Sequence, residues 1–170
     1  MNTESNNTAT QHNNSTRHLV YCAAACLIAI GIGGLFTPGE WYTQINIAPW
    51  SPPNLAFPIV WSILYVCIAL SGWRIFNQGT FQLKALWTLQ LALNTLWSWV
   101  FFGQHWVLLG FIDIVLIMTL VTYLIITCWN IDTSSKGEKP NLRVCSYLLA
   151  PYLLWLSIAC SLNLYILLNN

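Results

Sequence analysis

Five apolar stretches follow one another along the chain, at about 19–36, 55–73, 85–102, 106–129 and 144–168. Each approaches the roughly 20 residues a helix needs to cross about 30 Å of hydrocarbon. The runs are continuous and do not alternate, so the predicted elements are helices and not barrel strands. The first stretch has too long an apolar core for a signal peptide and no small-residue cleavage site follows it, so it is kept as a span. The pattern predicts an all-α, polytopic membrane protein: a single bundle of five transmembrane helices over 19–170. Residues 1–18 are polar, rich in Asn and Thr and without apolar periodicity, which predicts a disordered tail.

Composition sharpens this picture. Charged residues make up 6% of the 170 residues and hydrophobic ones 56%, against about a quarter charged in a soluble domain. With a formal net charge of +1 there is no basic stripe for nucleic acid and no polybasic segment for anionic lipid. The six cysteines lie within or beside apolar runs, and none forms a Cys-x-x-Cys pair. They are expected to be small apolar packers and not a disulfide framework. His12, His18 and His105 show no metal-ligand spacing, and no glycine loop suits a phosphate, so neither a metal nor an obligatory cofactor is expected.

Five of the seven prolines, Pro38, Pro49, Pro52, Pro53 and Pro58, lie in or just after the 37–54 connection. Proline fixes φ, so this loop is expected to be a shaped lid. The six basic residues, Arg17, Arg74, Lys84, Lys136, Lys139 and Arg143, fall on one side of a five-span topology. The excess of basic residues places the N-terminus in the cytoplasm and the lid outside.

The ten tryptophans exceed what a headgroup belt explains. Trp73, Trp87, Trp106 and Trp129 sit at span ends, where a belt is expected, and Trp99 joins them. Trp61, Trp97 and Trp155 lie deeper. Trp61 and Tyr65 share a face; Gln90, Asn94, Trp97 and Phe101 form a second stripe; Pro151, Trp155, Ala159 and Asn163 form a third. An Asn facing lipid is costly, so these stripes are expected to face inward. They either line an aromatic pocket for a flat apolar ligand or simply fill the core. Asp113 is the only acid within a span, a functional candidate by its depth or a structural acid held by neighbouring donors. Ala25, Ala29 and Gly33 recur every four residues, as in close helix packing within the bundle or in a homodimer seam.

These motifs resemble the tryptophan-rich sensory protein family, also called the translocator protein or peripheral-type benzodiazepine receptor family, over about 31–169. The resemblance rests on Trp41-Tyr42 followed by APWSPPN, on FPIVWSILY at 57–65, on QLALNTLWSWVFFG at 90–103, on Asp113-Ile114, and on PYLLWLSIACSLN at 151–163. It implies five helices, homodimers, and a cavity that takes protoporphyrin IX, haem and other flat hydrophobic ligands, lined here by Tyr42, Pro52, Trp61, Tyr65, Asn94, Trp97, Trp155 and Ala159. It also implies roles in transport or in tetrapyrrole and stress sensing. Light-dependent porphyrin breakdown, with Trp61 and Trp155 catalytic, is the enzymatic alternative; a structural partner protein is the third. Ile47-Ala48 replaces a usual Lys-Pro, and Trp97-Ser98-Trp99 a usual Trp-Ser-Pro. No Lys or Arg follows Tyr165, so the cholesterol motif of animal members is missing. A bacterial or cyanobacterial cell membrane fits best, with an organelle membrane the alternative.

Overall fold

Apolar patterning is realised as helix almost throughout. The computed structural model describes the backbone over residues 2–134 and 142–170, and side chains over 13–131 and 142–170. Among the described residues six α-helices follow in order: α1 Asn2–Gly34, the short α2 Glu40–Gln44, α3 Ala56–Gln78, α4 Phe81–Ser98, α5 Val107–Ser134 and α6 Arg143–Asn169. A π-turn, Trp99–Gly103, ends α4. No strand occurs among the described residues. Most of the connection after α5, with Lys136 and Lys139, lies outside them.

Among the described residues four helices are long and apolar enough to cross a membrane: Asn13–Gly34, Ala56–Gln78, Val107–Ile131 and Arg143–Asn169. The expected third span falls on α4, whose 18 residues include Gln82, Lys84, Gln90 and Asn94. These polar groups dilute its apolar character below that of the other four. Where the polar composition of 1–18 predicts a disordered tail, α1 already runs from Asn2. At its polar end the Trp73 indole N–H donates to the Ser15 carbonyl at 3.0 Å, and the Asn77 amide donates to the Ser15 hydroxyl at 3.3 Å. These bonds to α3 give the polar stretch partners that composition alone does not reveal.

The α3–α4 connection is short because its two linking residues suit it. The Gly79 N–H closes α3 onto the Ile75 carbonyl at 2.7 Å, where a Cβ would lie only 2.6 Å from that oxygen. Thr80 then caps α4, its hydroxyl accepting from the Leu83 N–H at 3.4 Å. This tight reversal lays Trp87 against Gly72. Trp87 is fully buried, and its indole N–H donates to the Ile68 carbonyl at 3.1 Å. It is therefore a packing residue and not the belt residue its position near a span end suggests. Trp106 and Trp129 are exposed, as a belt requires.

The core joins all five long helices, with Cys22, Leu64, Ile68, Trp87, Val121, Cys145 and Tyr152 at its centre. The small-residue stripe of α1 belongs to it. Ala29 is buried, Ala25 packs against the core, and a Cβ on Gly33 would lie 3.4 Å from the Ser98 hydroxyl of α4. Within the chain, Ala25, Ala29 and Gly33 lie at or beside helix contacts of the bundle. The outward face of α1 carries Leu27 and Ile28 instead.

Candidate aromatic site at the α3, α4 and α6 crossing

The inward stripes meet. On α3, Trp61 and Tyr65 place their rings 5.4 Å apart, and Trp61 meets Tyr152 of α6 edge-on at 6.2 Å. One turn further along α6, Trp155 packs edge-on against Phe57 at 5.5 Å. Asn94 of α4 joins the two walls. Its side-chain oxygen accepts from the Tyr65 hydroxyl at 2.8 Å, and its amide donates to the Tyr152 hydroxyl at 3.0 Å. Three helices are thus tied together by one buried amide, as a polar group in an apolar interior requires.

A second group of rings stands one turn further along α4. Trp97 stacks on Phe101 at 4.9 Å and meets Phe102 edge-on at 5.4 Å. The π-turn sets this geometry by adding a residue to the helical turn, which turns Phe101 and Phe102 to adjoining faces. Trp97 does not contact Trp61 or Trp155 by ring, so the three deep tryptophans fall into two neighbouring groups bridged by α4.

The proline-rich connection packs on the second group and on the end of α6. Trp41 stacks on His105 at 4.3 Å, and Tyr42 meets Phe102 edge-on at 5.6 Å. His105 has φ 59°, a left-handed conformation that carries the chain from the π-turn into α5. Burial pushes the Tyr42 hydroxyl above its usual titration range, and a hydrogen bond with Ser51 partly offsets this. Further along, Asn46 exchanges hydrogen bonds with Asn169 and Asn170 at the end of α6. Trp50 packs on Tyr165 at 5.3 Å and its N–H donates to the Ser161 hydroxyl at 3.3 Å. Pro52 is half-buried. The connection is pinned at the π-turn and at α6, and spans the ground between them.

Buried polar atoms lacking a protein partner surround the site: both amide atoms of Gln90, the Trp97 indole N–H, one Asp113 oxygen and both amide atoms of Asn163. Each such group costs on the order of 1–3 kcal/mol when nothing satisfies it. Asp113 and Asn163 are close to their helix partners: the Asn163 amide lies 3.3 Å from where a Gly110 Cβ would be, one turn from Asp113 on α5. The arrangement offers stacking faces together with unused hydrogen-bond donors and acceptors.

The structure brings Trp61, Tyr65, Asn94 and Trp155 together, places Tyr42 and Trp97 in the adjoining group, and leaves Ala159 half-buried one turn past Trp155. Pro151 departs from its expected stripe: it is exposed, and Tyr152 takes the inward position. Tyr152, Phe57 and His105 are site residues that the sequence reading missed. Tyr152 was reachable, since it lies three residues before Trp155 on one helical face.

The sequence pattern of the TspO/MBR family matches residues 22–168. Protein CrtK of Rhodobacter capsulatus is 33% identical over 144 residues, 82% of this chain and 84% of its own. The tryptophan-rich protein TspO of Chlorobaculum tepidum is 33% identical over 160 residues, covering 89% and 95% of the two chains. The translocator protein of Homo sapiens is 28% identical over 141 residues, 78% of each chain. On this match, and on the aromatic bundle that carries it, the chain belongs to the TspO/MBR family.

Proposed function

We propose that this chain is a multi-pass membrane receptor and sensor. It binds tetrapyrroles such as protoporphyrin IX and haem, and other flat hydrophobic ligands, among the rings of α3, α4 and α6. The observation that carries this reading is the convergence of Trp61, Tyr65, Tyr152 and Trp155 around the Asn94 bridge, with unpartnered polar atoms alongside. A planar macrocycle gains stacking and apolar burial there. Its polar edge gains hydrogen bonds to groups that otherwise have none. Entry requires the rings to part and the proline-rich lid to lift. The lid's bonds to Asn169 and Asn170 are exposed, and exposed hydrogen bonds are exchanged with water at little net cost.

In this reading α4 also crosses the membrane, as a fifth span. Its 18 residues extend about 27 Å at 1.5 Å per residue, and its deep polar side chains, Gln90 and Asn94, are buried. Arg17, Arg74, Lys84 and Arg143 then share one side, the cytoplasmic one, with the N-terminus. A homodimer is the expected assembly. Movement of the ligand across the membrane and regulation of stress responses are extensions of the same binding event.

Titration of protoporphyrin IX into purified protein, followed by tryptophan fluorescence, tests the reading. In the dark, saturable quenching is expected with a dissociation constant in the micromolar range, about −8 kcal/mol. Absence of quenching would leave the rings as core and the protein as a structural partner. Light-driven loss of the porphyrin band, removed by Trp61→Phe or Trp155→Phe, would instead establish the degrading activity.

A further inference from the structure

We propose that the basic end of the α1–α3 crossing is a binding site for a phosphate-bearing anion, separate from the aromatic site. A cleft of about 500 Å³ opens there, lined by Asn14, Arg17, His18 and Tyr21 of α1 and Phe76 of α3. Its floor is aromatic. Phe76 lies 5.2 Å from the Tyr21 ring and 6.0 Å from the His18 ring.

Its walls are fixed by hydrogen bonds that do not involve the cleft's charged group. The Asn77 amide nitrogen donates to the Ser15 hydroxyl and to the Trp73 carbonyl, at 3.3 and 2.9 Å. This turns the Asn77 oxygen toward His18, whose Nδ1–H donates to it at 2.9 Å. His18 is thereby oriented, with Nε2 left for a ligand. Arg17 is exposed at the rim. Among the described side chains the only acids are Glu40 and Asp113, both at the opposite end of the bundle with the lid and the π-turn.

The planar Arg17 guanidinium donates to the oxygens of a phosphate group, while His18 Nε2 accepts from a hydroxyl on the phosphate or on the molecule that carries it. The aromatic floor suits the less polar part of the molecule that carries it. The cleft also lies where the apolar run of α1 gives way to polar residues, the depth of the lipid headgroups when the helix crosses a bilayer. The phosphate can belong to an anionic phospholipid or be free; the chemistry that recognises it is the same.

Native mass spectrometry of the full chain in detergent, with phosphatidylglycerol or phosphatidylcholine added, tests this. Phosphatidylglycerol is expected to be retained about fivefold more than phosphatidylcholine, the contribution of one arginine near a membrane surface. Arg17→Gln removes that preference and Arg17→Glu reverses it, while Lys84→Gln, on the same end but outside the cleft, leaves it intact. A parallel thermal-shift titration with inorganic phosphate separates the sources. Stabilisation of the wild type but not of Arg17→Gln identifies free phosphate, and a response to the lipid alone identifies the headgroup. The proposal is overturned if Arg17→Gln keeps the preference, if Lys84→Gln abolishes it equally, or if neither probe binds.

Discussion

Gly72→Ala should lower stability by about 3 kcal/mol, the upper part of the range for overpacking a well-filled core. That corresponds to a fall of roughly 6–12 °C in the unfolding midpoint in detergent. A Cβ at this position would lie 2.4 Å from the Trp87 ring. The ring has no easy retreat. It is fully buried, its N–H is held by the Ile68 carbonyl, and it packs at right angles to the Phe76 ring at 5.7 Å. Either the indole leaves its bond or α3 and α4 separate, and both disturb the helices that carry Trp61 and Asn94. Trp87→Phe is expected to be destabilising alone, through lost volume and a lost hydrogen bond, but to relieve part of the Gly72→Ala defect. A coupling of about 1–2 kcal/mol in the double-mutant cycle would show that the two residues are one contact. Wild-type stability for Gly72→Ala would show that α3 and α4 do not pack in this way.

The second large effect is expected at Asn94. Asn94→Leu leaves the Tyr65 and Tyr152 hydroxyls without the partners they have at 2.8 and 3.0 Å. An unmade buried hydrogen bond costs about 1–3 kcal/mol in a protein interior, whereas measured bonds between membrane helices average about 0.6 kcal/mol. With two bonds lost, about 2 kcal/mol is the expected result, read from detergent or chaotrope unfolding. Combining Asn94→Leu with Tyr65→Phe and Tyr152→Phe removes the orphaned groups as well, so stability should largely return. Porphyrin affinity should not return, because the polar bridge between the three helices is still gone. Recovery of both together would mean that the bridge is structural only.

Much of this architecture was legible in the chain because lipid punishes errors. Apolar runs near 20 residues, a buried amide on each of two stripes, and rings sharing those stripes identify inward faces without any coordinates. Asn94 and Asn163 are buried as that argument requires. What escaped depends on the third dimension. Trp87 reads as a belt residue until the Gly79–Thr80 reversal brings it to Gly72. Trp97 reads as a partner of Trp61 until the π-turn couples it to Phe101 and Phe102 instead. Pro151 shares a four-residue period with Trp155, yet Tyr152 holds the inward position, because period alone leaves the direction of a face uncertain by one residue. The polar groups that make α4 functionally interesting are the same ones that lower its apolarity.

The most direct test of the aromatic site compares protoporphyrin IX binding, by porphyrin absorbance in the dark, between wild type and Trp61→Ala with Trp155→Ala. A control variant carries Trp106→Ala with Trp129→Ala, two rings exposed at the bundle surface. Loss of two stacking faces should weaken binding by about 10- to 100-fold, with the control unchanged. Undiminished affinity in the first variant, or an equal loss in the control, would contradict a shared ligand site at the α3, α4 and α6 crossing.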